Sequence, residues 1–370
     1  MRAIILAGGR GTRLDPLTRD LPKPLVPFFD RPLIEYQIRW LASCGFDEIT
    51  ISLGHLGDRI VSTLGYQLAG VPLSYVKEPH PLGTAGAVAL ALEHGIGSHP
   101  VVVVPGDALA DYDLAAVYQE FLSRPEPVGM IVKQVADPRG FGVVTIDGSG
   151  RATGFQEKPS AVEQGQWVNT GIYFLKQPAI EWPDRRPLDF AYDLFPLWTE
   201  RGHVAALKAP GYWSDLGTLA QYRRSHFDAL DGLVAVAIPE PTPGAAIVDR
   251  TARVIEPVWL GDGVTIDAQA TVGPYAVIGT GSYVGPWSKV ERAVVGQSVF
   301  LGAGSRVSGA TIAERVVIGG RCRVEHHAAI GANSRIGWGT RVAAGRHFAP
   351  ASHVSPNTVD YVQKLVDVTL

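Results

Sequence analysis

Gly8, Gly9 and Gly11 crowd into four positions directly after the apolar run Ala3-Ile4-Ile5-Leu6-Ala7. Arg13 follows closely, and Lys23 stands between Pro22 and Pro24. A buried strand that breaks into glycines brings bare backbone N–H groups close to a ligand, because no Cβ holds the ligand off. With two cations at the same rim, the stretch complements a polyphosphate. Two familiar phosphate loops do not fit it. Leu14 stands where the dinucleotide fingerprint G-x-G-x-x-G needs its third glycine. No lysine follows at the spacing of G-x-x-x-x-G-K-[ST]. A plain glycine turn is the alternative, and the cations and the proline bracket weigh against it.

The elements that must position this stretch follow along the chain. From 1 to 233, strand and helix patterns alternate as in an α/β sheet flanked by helices. Leu33, Ile34, Ile38, Leu41 and Ala42 form one face of a helix opened by Pro32 and stopped by Gly45. Strands are expected at 48–53 and 71–76, and a helix at 84–94 with Thr84 as its N-cap candidate. Val101 to Val104 is a β-branched run, expected as a central strand buried on both faces, and it stops at Pro105-Gly106-Asp107. Further strands are expected at 128–134, 142–146, 152–156 and 169–175, with helices at 113–122, 190–200 and 218–230. Pro239, Pro241 and Pro243 stiffen a linker over 234–256.

Beyond the linker, apolar residues recur every six positions at Leu260, Ile266, Val272, Ile278, Val284 and Val290. The register slips by one, runs through Val295, Leu301 and Val307, slips again, and continues from Ile312 to Val342. That period matches neither a helix nor an ordinary amphipathic strand, but it is that of a parallel β-helix, here over 257–345. The tail, 346–370, is less regular, and Tyr361, Val362, Leu365 and Val366 have the spacing of a short closing helix.

A chain of 370 residues is long enough for two cores. A net charge of −3 argues against a nucleic-acid partner. Two cysteines far apart, Cys44 and Cys322, exclude a disulfide framework, read as core thiols and fit a reducing cytoplasm. The apolar run after Arg2 is too short for a signal peptide, and no apolar run of about 18 residues occurs, so no membrane segment is expected.

Leu6-Ala7-Gly8-Gly9-Arg10-Gly11-Thr12-Arg13-Leu14, followed by Pro22-Lys23-Pro24-Leu25, resembles the signature of the sugar-1-phosphate nucleotidylyltransferases. The resemblance covers nearly the whole chain and departs mildly at Phe28-Phe29-Asp30. It implies a Rossmann-like nucleotidyltransferase domain with a mixed sheet, then a left-handed parallel β-helix with three hexads a coil, hence about five coils. The implied reaction is attack by a sugar-1-phosphate oxygen on the α-phosphorus of a nucleoside triphosphate, with pyrophosphate leaving. The substrate brings an ionised nucleophile, so no Ser–His or Cys–His pair is needed. Charge neutralisation, in-line positioning and a metal, here Mg²⁺, are.

By the same resemblance, Leu6, Ala7, Gly8, Gly9, Gly11 and Thr12 hold the nucleotide, Arg13 meets the leaving pyrophosphate and Lys23 meets the reacting phosphate. Leu82-Gly83-Thr84-Ala85-Gly86 resembles the base-reading loop, with Leu82, Gly83, Thr84 and Gly86 against the base and Glu78 placed to accept from an exocyclic amine. Asp107 is a natural Mg²⁺ ligand at a strand end, although a turn also uses Asp there as a cap. Asp215, in Trp213-Ser214-Asp215-Leu216-Gly217-Thr218, would be the second metal ligand, or the entry to a helix. Glu157 and Lys158 are implied at the sugar and its phosphate, and Asn169 and Gly171 at the sugar ring.

The stretch through Trp40 and the trailing β-helix look most like mannose-1-phosphate guanylyltransferases, which implies GTP, mannose-1-phosphate and GDP-mannose. The motifs also fit glucose-1-phosphate or cyclitol-1-phosphate enzymes using dTTP, UTP or ATP. A silent regulatory subunit would show itself by losing Arg13, Lys23, Asp107, Lys158 or Asp215, and all are present. Some proteins of this architecture carry an acyltransferase in the β-helix with a His general base, which draws attention to His326-His327. Adjacent residues on a strand point to opposite faces, so at most one of the two would line a groove. The β-helix is expected to mediate homo-oligomerisation.

Overall fold

The structure is a computed structural model and describes residues 1–94, 100–160, 165–176, 180, 182–183 and 187–360. Two compact units form, and they do not follow chain order. Met1–Arg10 joins Leu33–Asp215, while Gly11–Pro32 joins the residues from Leu216 onward.

The first unit is built on a ten-stranded mixed sheet. Its centre is parallel: Arg2–Ala7 lies between Val101–Pro105 and Glu48–Leu53, with Val71–Lys77 beyond the latter. Val101 to Val104 are each 0% exposed, as a strand covered on both faces requires. Trp167–Leu175 runs antiparallel beside this centre, and pairs with Val101–Val103 at one end, Val143–Val144 at the other and Val128–Gln134 along its length. Helix Leu33–Ser43 buries Leu33, Ile34, Ile38 and Leu41, the face read from its periodicity. It also braces the segment after Asp107: the Gln37 amide donates to the Ala108 carbonyl, and Trp40 Nε1 donates to the Tyr112 carbonyl at 2.8 Å.

One cap differs from expectation. Helix Thr84–Glu93 is capped by Gly83, not Thr84. Gly83 sits at φ 78° beside the Leu188 carbonyl, where a Cβ would come within 2.5 Å. Only glycine turns the chain there without strain. Thr84 is thereby carried into the first helical turn, and its hydroxyl donates to Asp189 Oδ2 at 2.9 Å instead.

In the second unit, short parallel strands stack into sheets of seven, seven and six, a parallel β-helix. Inward aliphatics from Ile266 to Val342 form its core. The coils run from Ile247 to Asp360, further than the expected 257–345, so there are nearly seven rather than about five. The six-residue register continues through Val254 and Val248 in one direction and Phe348 and Val354 in the other. Residues 347–360, expected in an irregular tail, thus supply three more strands. The spacing at Tyr361–Val366 lies outside the described residues.

Against the third sheet of this β-helix pack helix Leu219–Leu230 and a small hairpin, Pro27–Phe28 paired with Arg31–Pro32. Phe29 and Asp30 form its two-residue turn, both at positive φ, as the tight primed turns of hairpins demand. Phe28 and Phe29 are buried against the His226 ring, with centroids 4.2 and 4.8 Å away. His226 Nδ1 donates to the Tyr222 carbonyl at 2.9 Å, and Nε2 accepts from Phe29 N at 3.4 Å. The ring is therefore neutral, and burial pushes its pKa down to about 3.

That shift has a sign. Above the ordinary imidazole value of 6.5, both folded and unfolded forms are neutral and the stability is intact. As pH falls from 6.5 toward 3, the unfolded chain takes a proton that the buried ring refuses, so stability drops, by an amount on the order of a few kcal/mol. Denaturant midpoints of wild type and His226→Gln between pH 4 and 8 check this. The variant is expected to lose that part of the slope, whatever its plateau.

Candidate active site

Because Arg2–Ala7, Glu48–Leu53, Val71–Lys77 and Val101–Pro105 run parallel, their carboxyl ends open on one edge. They deliver Gly8, Gly54, Glu78 and Asp107 there, the edge where open α/β sheets collect ligands. A cleft of about 440 Å³ is lined by Gly8, Arg10, Gly54, His55, Glu78 and His80. Gly8 and Gly54 are in backbone contact: a Cβ on Gly54 would lie 2.7 Å from the Gly8 carbonyl oxygen. A Cβ on Gly8 would come within 2.6 Å of Glu78 Oε1. Packing thus requires glycine at position 54, where the neighbour is backbone, while a Cβ at position 8 would press on the mobile end of Glu78.

The expected base-reading loop meets this cleft. Glu78 Oε2 accepts from Leu82 N at 2.9 Å, which leaves Oε1 beside Gly8. Leu82 and Gly86 are tied to Leu188, with Leu188 N donating to the Leu82 carbonyl at 2.7 Å and Gly86 N to the Leu188 carbonyl at 2.9 Å. Leu6 and Ala7 lie within the central strand and orient the turn that follows.

The remaining signature residues belong to the second unit. Gly11, at φ 62°, leads into the short turn Thr12–Leu14, on which Thr12 and Arg13 are exposed. Lys23 begins the turn Lys23–Leu25 and is only 6% exposed, uncommon for a lysine. Its stem runs along Gly11, where a Cβ would lie 2.8 Å from Lys23 Cβ, and Thr18 Oγ1 donates to the Gly11 carbonyl at 2.8 Å.

Asp107 and Asp215 flank the same end of a ribbon two residues long. Leu109–Ala110 pairs antiparallel with Trp213–Ser214, Ser214 opposite Leu109. Continued one residue, the register sets Ala108 opposite Asp215, so both half-buried carboxylates stand at the same end of the ribbon. Trp213 anchors it: its Nε1 donates to the Thr170 carbonyl at 3.0 Å, and its ring packs on Phe141 at 5.4 Å. Among the described residues, no cluster of three or more His, Cys, Asp or Glu forms. A cation here would take two protein carboxylates and complete its shell from phosphate and water, which is the habit of Mg²⁺.

Lys158, at φ 43° past the end of strand Ala152–Glu157, pairs with Glu157 Oε1 at 3.0 Å. Left-handed backbone at a residue other than glycine is a form of strain that concentrates at functional sites. Asn169 sits at a register shift in Trp167–Leu175. Its Oδ1 accepts from Gly171 N at 2.8 Å and its Nδ2 donates to Tyr173 Oη at 2.9 Å, so it shapes the bulge it occupies. Gly171, at φ 83°, packs on Pro105, two residues before Asp107.

The cleft-lining residues that sequence reasoning gave no role are Arg10, Gly54, His55, His80 and Pro81. The signal was present, since a glycine directly follows strand Glu48–Leu53 at the same edge as Gly8. His326 and His327 lie on a coil corner rather than a strand, so the alternating-face argument does not apply to them. His327 Nδ1 accepts from Arg223 Nη2 at 2.8 Å, because an arginine only donates. Desolvation, with Arg223 and His326 nearby, holds the His327 pKa below its ordinary value, and the residue serves to seat the buried Arg223. Cys44 and Cys322 are free. No helix among the described residues is long and apolar enough to cross a membrane.

Residues 2–232 match the nucleotidyl transferase family model, and residues 254–361 match that of the GMPPB C-terminal domain. The chain is 31% identical over 327 residues to a probable mannose-1-phosphate guanylyltransferase 2 of Arabidopsis thaliana, covering 79% of this chain and 89% of the relative. It is 29% identical over 325 residues to a mannose-1-phosphate guanyltransferase of Yarrowia lipolytica, with the same coverage of 79% and 89%. Identity to mannose-1-phosphate guanyltransferase beta-B of Xenopus laevis is 32% over 221 residues, or 59% of this chain and 61% of the relative.

Proposed function

We propose that this chain, which belongs to the nucleotidyl transferase family, joins GTP to mannose-1-phosphate and releases GDP-mannose and pyrophosphate. Enzymes of this family generally use a divalent metal, and the donor set favours Mg²⁺. The observation that supports the reading is the ribbon pairing, whose register runs from Asp107 to Asp215 at the strand edge from which the glycine turn begins.

In this reading, Gly8, Gly9, Gly11 and Thr12 present backbone donors to the triphosphate, after Leu6 and Ala7 have set their direction. Glu78 accepts from the exocyclic amine of guanine, while Leu82, Gly83, Thr84 and Gly86 offer main-chain edges to the base. Arg13 neutralises the departing pyrophosphate, and Lys23 the charge gathering on the α-phosphate. Asp107 and Asp215 hold Mg²⁺, which when bound neutralises the phosphates and keeps them in line. Glu157 takes a sugar hydroxyl, and Asn169 and Gly171 border the ring. Free Cys44 and Cys322 agree with a cytoplasmic setting, and the β-helix is the proposed homo-oligomer contact.

Pyrophosphate release with GTP, ATP, UTP and dTTP against mannose-1-phosphate and glucose-1-phosphate tests the substrate assignment; preference for any other pair overturns it. Lys158 tests the sugar-phosphate assignment separately. Its ammonium pairs with Glu157 in the free protein and is expected to turn to the incoming phosphate. Lys158→Ala is expected to raise the sugar-phosphate KM about tenfold or more and leave the nucleotide KM near wild type, since a charge-assisted contact to one substrate is lost. Equal rises in both constants would refute the role.

A further inference from the structure

The stretch where the signature chiefly departs from its pattern, Phe28-Phe29-Asp30, is tied to the β-helix. Asp30 Oδ2 accepts from Thr280 N at 2.6 Å, and Gln297 Nε2 donates to the Asp30 carbonyl at 3.3 Å. The carboxylate lies over Gly261 and Gly279, where a Cβ would come within 3.0 and 2.8 Å of its oxygens. These glycines are also demanded by the backbone of the next coil, and Asp30 sits over the bare corners they leave. Around it, Tyr222 Oη donates to the Pro27 carbonyl at 2.6 Å, Arg31 Nη1 donates to the Ala237 carbonyl at 2.8 Å, and Phe29 packs on Trp259 at 5.5 Å. Gly261, Thr280 and Gln297 come from corners of three consecutive coils, more than 200 residues beyond the hairpin.

Only Pro24, Leu25 and Val26 separate this hairpin from Lys23, and all three are buried. Pro22 and Pro24 remove backbone freedom on either side of the lysine. A close-packed segment this short passes a displacement on rather than absorbing it.

We propose that Asp30 is a positioning residue that latches the hairpin Pro27–Pro32 to the β-helix and so sets where Lys23 stands during the reaction. The proposal rests on the reading of Lys23 as the cation at the reacting phosphate. It makes the β-helix part of the catalytic frame: the coils at Thr280 and Gln297 hold the hairpin that holds Lys23.

Steady-state kinetics with GTP and mannose-1-phosphate test it. Asp30→Ala is expected to lower kcat about tenfold to a hundredfold, as small misplacements of a catalytic group do, with both KM values within about twofold of wild type. Asp30→Asn keeps an oxygen that accepts from Thr280 N and is expected to restore most of kcat. Adding Asp30→Ala to Lys23→Ala is expected to lower kcat no further, because the two act as a unit. Should Asp30→Ala not fold, Gln297→Ala carries the test, with a smaller expected fall in kcat. If Lys23→Ala abolishes turnover while Asp30→Ala or Gln297→Ala keeps wild-type kcat, the latch is overturned and the reading of Lys23 stands. If Lys23→Ala itself keeps wild-type kcat, the reading of Lys23 fails, and the latch with it.

Discussion

Asp107→Asn is expected to lower pyrophosphate release at least about a hundredfold while the protein still melts as a folded species, because a neutral amide binds a divalent cation far more weakly than a carboxylate. Asp215→Asn is expected to do the same. In the proposed reading the two carboxylates serve one ion, so the double variant should be no worse than either single one. A second measurement is independent of turnover. Mg²⁺ with nucleotide should raise the melting temperature of wild type and fail to do so in the variants, since a ligand stabilises only what it binds. Unimpaired turnover in either variant would remove that residue from the metal site.

Gly54→Ala is expected to raise the nucleotide KM about tenfold or more, although position 54 lies outside the signature. A methyl group there would meet the Gly8 carbonyl oxygen at 2.7 Å and Gly8 Cα at 2.8 Å. Neither atom is the far end of a flexible side chain, so the glycine turn itself must move. Overpacking of this kind costs about 1–3 kcal/mol of stability. Gly9→Ala is the control: a Cβ there meets nothing within 4 Å, so its melting temperature should match wild type. Denaturation curves and nucleotide KM for the two variants decide the point. A Gly54→Ala protein with wild-type affinity would mean that the nucleotide does not depend on this backbone contact.

Much of the fold was legible residue by residue. Val101 to Val104 announced a strand covered on both faces, and the face of helix Leu33–Ser43 followed from its spacing. Both patterns are local consequences of backbone geometry, which repeats every two or 3.6 residues. The β-helix was legible for the same reason, one inward aliphatic per six residues. The coils at its two ends were missed because Val248, Val254, Phe348 and Val354 keep the register among polar neighbours and without a glycine directly after them. The cap of helix Thr84–Glu93 was misread because the contact that decides it, Gly83 against Leu188, spans more than a hundred residues.

The sequence by itself determined that this chain carries a glycine turn with cations, an α/β core and a six-residue repeat, because each is written in neighbouring residues. Tertiary structure alone decided which of these parts meet. Asp107 and Asp215 come to the same end of the chain's fold only through a two-residue ribbon, too short for any periodic pattern to announce. Gly54 abuts Gly8 only because their strands are sheet neighbours. Asp30 finds Thr280 across 250 residues, and no local propensity encodes that contact. Convergence of this kind is set by how buried surfaces pack over long separations, and a side chain's near neighbours in sequence do not carry it.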